Sequence, residues 1–114
     1  MSVLMVTYVG DGTSRFDRNY YDGQHIPFVE RTWGPFGLER AEVFYADDVG
    51  EYPDVVAMCL CHFVDRSGLE RALAAPESAA VADDIANFSD ITPMRSVVTP
   101  HPDVSTCTAV HQCG

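Results

Sequence analysis

Hydrophobic and polar positions repeat along this chain with a period that changes from stretch to stretch. Residues 3–9 are rich in β-branched and aromatic side chains and end at Gly10-Asp11-Gly12, which predicts a strand followed by a turn. A helical segment follows and runs to about Trp33, where Gly34-Pro35 close it. Its start signal is Ser14, three residues before Asp17, a short relative of the capping box. Over residues 36–46, Leu38, Arg40, Glu42 and Phe44 alternate with Glu39, Ala41, Val43 and Tyr45. This predicts a second strand with at least one wet or interface-facing side. Residues 47–54 carry acids, Gly50 and Pro53 and read as a hairpin connection. Residues 55–64 are nearly all apolar, the mark of a central strand covered on both faces. Ser67-Gly68-Leu69-Glu70 reads as a capping box opening a helix with Leu69, Ala72 and Leu73 on one side. Pro76 interrupts it, residues 77–82 resume it, and residues 92–98 form the last strand.

The predicted order is strand, helix, strand, strand, helix, strand: an α+β chain with the βαββαβ pattern of a ferredoxin-like sandwich. That topology places both helices on one face of the sheet. The other face then shows Val, Met, Cys, Phe and Tyr side chains to water, a larger apolar patch than monomers carry. A second sheet packed against it removes the problem, so a homodimer is expected. Residues 1–98 make the domain. Residues 99–114 change character, with two prolines and no periodicity, and read as a flexible C-terminal tail.

Length and charge narrow the function. A chain of 114 residues has room for one core. Its formal charge of −10 excludes nucleic acid, whose phosphates it would repel, and disfavours anionic membrane surfaces. No apolar run approaches the ~20 residues a spanning helix needs. The apolar N-terminus lacks a basic flank and reads as a strand, not a signal peptide. A cytoplasmic protein with reduced cysteines is the expectation.

The chemistry centres on Tyr20-Tyr21-Asp22-Gly23-Gln24-His25-Ile26-Pro27-Phe28-Val29. Pro27 has no N–H for the carbonyl of Gly23, and it steers Ile26 away from helical angles. The helix is therefore expected to fray near Gly23 and to restart with Pro27 in the first turn of a second helix. His25 would sit at the break, with Tyr21 one turn earlier on the same side. An imidazole titrates near neutral pH and can accept and return a proton, although capping a freed carbonyl is its plain alternative role.

Tyr-Tyr, three residues, His-x-Pro and two apolar residues resemble the signature of the EthD family. Asp84-Ile85-Ala86-Asn87-Phe88-Ser89-Asp90-Ile91-Thr92-Pro93 resembles that family's second block, in the same order along roughly the first 98 residues. The resemblance implies a ferredoxin-like dimeric α/β barrel. It also implies a small apolar organic ligand and a function of one of two kinds. The first is a cofactor-independent isomerase, cyclase or decarboxylase acting by proton transfer on a carbonyl, lactone or aromatic compound in the barrel cavity. The second is a non-catalytic binding or accessory protein of a catabolic oxidase pathway. Within the motifs, His25 and Tyr21 are the candidate catalytic pair, and Tyr20, Phe28 and Phe88 candidate substrate contacts.

Cys59, Cys61 and Phe63 share one face of the 55–64 strand, with Val55 and Ala57; Val56, Met58, Leu60, His62 and Val64 share the other. The second set is the more apolar apart from His62. That favours Cys59, Cys61 and Phe63 as walls of the dimer cavity, with the reverse facing left open. Asp83 and Asp84 oppose the macrodipole at the end of the second helix, a local cost that suggests a contact with the break at His25. In the tail, the spacing of Cys107, His111 and Cys113 fits no structural zinc site. No phosphate loop, dinucleotide fingerprint or His-x-Glu motif occurs, so no metal and no cofactor are expected.

Overall fold

The computed structural model describes residues 1–50 and 52–101. Four antiparallel strands, β1 (Ser2–Gly10), β2 (Leu38–Tyr45), β3 (Asp54–Phe63) and β4 (Met94–Val98), form one sheet in the order β2-β3-β1-β4. Helices α1 (Arg18–Tyr20) and α2 (Ile26–Trp33) lie between β1 and β2; α3 (Arg66–Ala74) and α4 (Ser78–Asp83) lie between β3 and β4. This is the ferredoxin-like α+β order. No helix among the described residues is long and apolar enough to cross a membrane. Cys107, His111, Cys113 and most of the expected tail lie outside the described residues.

One sheet face carries the core. Leu4, Cys61 and Ala41 stand in one row across β1, β3 and β2, followed by Val6, Cys59 and Val43, then Tyr8, Ala57 and Tyr45. These rows pack with Tyr21, Ile26, Val29, Trp33, Leu69, Ala72 and Val81 from the helices. Cys59 and Cys61 therefore face the helices, the reverse of the facing favoured from apolarity. Apolarity misled there because the opposite set also carries Met58 and Leu60, which face away from the helices without being fully buried. Phe63, on the same side as the cysteines, is fully buried beside Trp33, with ring centroids 6.0 Å apart.

Several local expectations are corrected. The helix does not fray at Gly23: residues 21–25 form one wide π turn, and Ile26 keeps helical angles of φ −63° and ψ −45°. Ile26 N–H reaches back to the Tyr21 carbonyl, five residues away, while Pro27 enters the first turn of α2, where no amide donor is required. The missing proline N–H is thus absorbed by widening the turn rather than by breaking it.

The helix caps also differ. Asp17, not Ser14, caps α1 by accepting from Tyr20 N–H, while the Ser14 hydroxyl accepts from Asp11 N–H in the preceding turn. Asp65, not Ser67, caps α3 through Gly68 N–H at 2.7 Å. Residues 34–36 form a 3-10 turn, so β2 starts at Leu38 and not at Phe36; β4 likewise starts at Met94 and not at Thr92.

The segment before α1 is tied to the segment after α4. Asp17 N–H donates to the Phe88 carbonyl at 2.8 Å, Arg15 N–H to Asp90, and the Ser89 hydroxyl to the Arg15 carbonyl. Phe16 and Ser89 form a single β-bridge. Two stretches about seventy residues apart in sequence are held side by side, which sets the position of everything in the site.

Candidate active site

The π turn points His25 and Tyr21 inward; both are buried. The 3-10 turn Asp84–Asn87 brings a carboxylate to meet them. His25 Nδ1 lies 2.8 Å from Asp84 Oδ2, and the other oxygen of Asp84 accepts from the Tyr20 hydroxyl at 2.7 Å and from Asn87 Nδ2 at 3.0 Å. The imidazole belongs to a three-ring cluster: Tyr21 stacks on it at 5.4 Å with an 18° tilt, Phe88 meets it at 4.7 Å, and Tyr21 and Phe88 lie 5.0 Å from each other. Such packing locks the ring's orientation, and an ionised Asp84 selects the tautomer with its proton on Nδ1. Nε2 is then the nitrogen with a free lone pair, and no hydrogen-bond partner is found for it among the described residues.

Burial pulls the His25 imidazole below its ordinary value and outweighs the hydrogen bond and charge of Asp84, which act the other way. Burial also pulls the Asp84 carboxyl upward. Hydrogen bonds from Asn87, His25 and Tyr20 outweigh that, and the carboxyl stays below its usual range. The resting pair is a neutral imidazole hydrogen-bonded to a carboxylate. Burial raises the Tyr21 phenol, and the Tyr8 phenol beside it, so both stay protonated and can only donate or share a proton.

His25 and Tyr21 line a cavity of about 540 Å³ between the helices and the sheet. Tyr8, Cys59 and Cys61 form part of its wall on the sheet side, Ile26, Val29, Trp33 and Val81 on the helix side. Arg95 on β4 and Asp90 are its charged residues. The cavity lies on the helix face of the sheet, not beyond the opposite face where a barrel interior would form. The size suits a small organic molecule and the lining is mostly apolar.

Of the residues singled out in the sequence, His25, Tyr21, Cys59 and Cys61 line this cavity. Tyr20 stands behind it, holding Asp84. Phe88 holds the His25 ring, Phe63 sits in the core, and Phe28 packs half-buried against that core under the Arg31 side chain. None of these three phenylalanines lines the cavity. Sequence reasoning passed over Tyr8, Trp33 and Arg95 as site residues, for nothing in a strand or helix period marks which side chains border a void. Asp84 had a signal: an acid at the wrong end of a helix.

No family model matches the chain, and no curated protein does. Solved structures do. An EthD-like protein from Ralstonia eutropha JMP134 is similar at 27% identity and a TM-score of 0.71, covering 90% of this chain and 96% of that one. An ethyl tert-butyl ether D (EthD) family protein from Bacillus halodurans C-125 is similar at 20% identity and a TM-score of 0.67, covering 89% and 99%. SnoaB, a cofactor-independent oxygenase from Streptomyces nogalater, shares the fold at 18% identity and a TM-score of 0.56, covering 90% and 96%. The two motif blocks that meet at His25, the strand order and these likenesses over nearly the whole chain converge: the chain has a ferredoxin-like fold and is similar to EthD-like proteins.

Proposed function

We propose that the protein is a cofactor-independent enzyme that moves a proton on a small, mostly apolar carbonyl, lactone or aromatic compound, by an isomerase, cyclase or decarboxylase type of reaction. The observation that carries this reading is the buried His25 on the wall of an apolar cavity, held 2.8 Å from the half-buried Asp84 behind it. Asp84 holds the Nδ1 proton, so Nε2 is the base. It takes a proton from carbon next to a carbonyl, and the imidazolium that forms is stabilised by the carboxylate. In this reading Tyr21, kept protonated by burial, donates to the oxygen on which charge develops. Returning the proton to a different carbon completes an isomerisation. SnoaB, described as a cofactor-independent oxygenase, is a precedent in this fold for chemistry run without a cofactor.

The protein acts as a homodimer in this reading. On the sheet face away from the helices, Met5 and Leu60 share one row with Glu42, and Thr7 and Met58 the next with Phe44. Phe44 is 44% exposed and Met94 60%. His62 on the same face bonds Glu42 through Nε2 at 2.9 Å, but its Nδ1 is buried with no partner among the described residues. A second copy packed there covers the apolar rows.

Proton exchange tests the reading with a panel of simple carbon acids in place of the natural substrate. Enolisable lactones and cyclic diketones are incubated with the protein in D₂O, and loss of C–H signal is followed by NMR. The wild type is expected to accelerate exchange of at least one compound, and His25→Gln to lose about a hundredfold to ten-thousandfold of that rate. Compounds that bind without any accelerated exchange would instead mark a carrier.

A further inference from the structure

The proposed proton chemistry does not use the two thiols on the cavity wall. Cys59 and Cys61 are both free, each 2% exposed, and their sulfurs lie 3.7 Å apart with one S–H pointing at the other sulfur. Both border the cavity beside Tyr8, Tyr21 and Val6. They are two residues apart on β3, a strand paired on both sides, with β1 and β2.

That setting opposes a disulfide. Residues two apart in a strand have Cα atoms about 6.6–6.8 Å apart, the upper edge of what a disulfide spans, and the sulfurs would have to close to about 2.05 Å. Two ladders resist the contraction. Bridging by a third atom needs no such movement. A pyramidal three-bonded centre with bonds of about 2.3 Å to sulfur and angles of roughly 100° holds its two sulfurs about 3.5 Å apart, close to the 3.7 Å seen here. No group of three or more His, Cys, Asp or Glu side chains able to hold a metal ion occurs among the described residues. The bridging atom must therefore bring its own remaining substituent, and the apolar cavity is where that substituent would go.

We propose that Cys59 and Cys61 form a two-thiol capture site for a thiophilic metalloid or metal centre bearing an apolar organic group, with monoaryl trivalent arsenic as its model ligand. The step balances without redox change. For R–As(OH)₂, two As–S bonds form and two As–O bonds break. The two thiol protons leave with the two hydroxides as two waters, and arsenic stays trivalent. The first deprotonation is eased at Cys59, where the S–H of Cys61 stabilises the thiolate and outweighs burial. This site stands on the dithiol geometry and does not depend on the role of His25.

Phenylarsine oxide is the probe, added to reduced full-length protein and to a Cys107→Ser/Cys113→Ser variant that removes the tail thiols. Mass spectrometry is expected to show one phenylarsenic unit on both, retained against excess 2-mercaptoethanol and released by 2,3-dimercaptopropanol. Cys59→Ser and Cys61→Ser, each checked for a native circular dichroism spectrum, should each weaken retention by about a hundredfold or more, because the second bond is no longer intramolecular. If a single variant does not fold, the tail-thiol variant decides. Adduct that 2-mercaptoethanol strips from it, or that vanishes with Cys107 and Cys113, overturns the proposal. So does equal retention by wild type and a folded single variant.

Discussion

At the scale of the residue, the site reduces to one imidazole and what surrounds it. Burial keeps His25 neutral near pH 7, while Asp84 pulls its pKa back toward the ordinary value. The sign follows directly. An unfolded His25 takes up its proton near 6.5, whereas the folded ring resists until the pH is lower. Its contribution to stability is therefore complete above that value and declines as pH falls below it. Activity that needs the neutral ring falls on the same acid side. Asp84→Asn removes the charge that favours the imidazolium, so the acid limb of kcat/KM should move to lower pH. The maximum rate should fall at the same time, because an amide can accept from Nδ1 or donate to it and no longer fixes the tautomer. A limb that stays put, or moves up, would show that Asp84 does not act on His25 through charge. His25 was legible in the sequence because a proline two residues on marks a disturbed helix. Asp84 was half legible, as an unfavourable charge wanting a reason. The facing of Cys59 and Cys61 was not, since a period of two separates the sides of a strand without saying which is inside.

At the scale of the element, the π turn is the feature that sequence rules describe least well. Pro27 forbids one hydrogen bond, and the rules offer a break as the answer; the chain instead widens one turn and keeps helical angles through Ile26. The helix axis survives, and His25 is turned inward by the extra residue. Gly23 then looks different. It is neither a hinge nor a turn residue: its φ is not positive, and a Cβ there would meet nothing within 4 Å. Gly23→Ala should stabilise the protein by about 0.5–1 kcal/mol, through lost freedom in the unfolded chain. A higher urea midpoint with an unchanged slope is the expected result; a lower one would mean that the turn needs glycine's freedom. The element order and the interruption at Pro76 were readable because hydrophobic periods and proline chemistry are local. The caps were misplaced by two residues at α3 and three at α1. In each case an aspartate next to the first helical residue outcompeted the serine that fitted the capping-box template.

At the scale of the molecule, the proposed catalytic site and the proposed dimer interface lie on opposite faces of one sheet. The cavity and the His25–Asp84 pair lie under the helices, built from residues of a single chain. The apolar rows of Met5, Leu60, Met58 and Phe44 lie on the other side, around His62 and Glu42. The proposed dimer would shelter the second face, whereas the cavity is lined by residues of one chain. The two functions should then separate by mutation. Leu60 is at the centre of the open face, only partly buried in the protomer, so a charge there costs little until a second sheet is placed over it. Leu60→Asp should leave the protomer folded. In the dimer it would set two carboxylates near one another in a desolvated interface, a cost of several kcal/mol. Sedimentation velocity at micromolar concentration should show a dimer for the wild type and a monomer for Leu60→Asp. The monomer should keep the cavity's ligand binding and a native circular dichroism spectrum. A wild type that sediments as a monomer would remove the dimer from this account. A Leu60→Asp monomer that loses ligand binding would show the two faces to be coupled through β3, the strand that carries Leu60 on one side and Cys59 and Cys61 on the other.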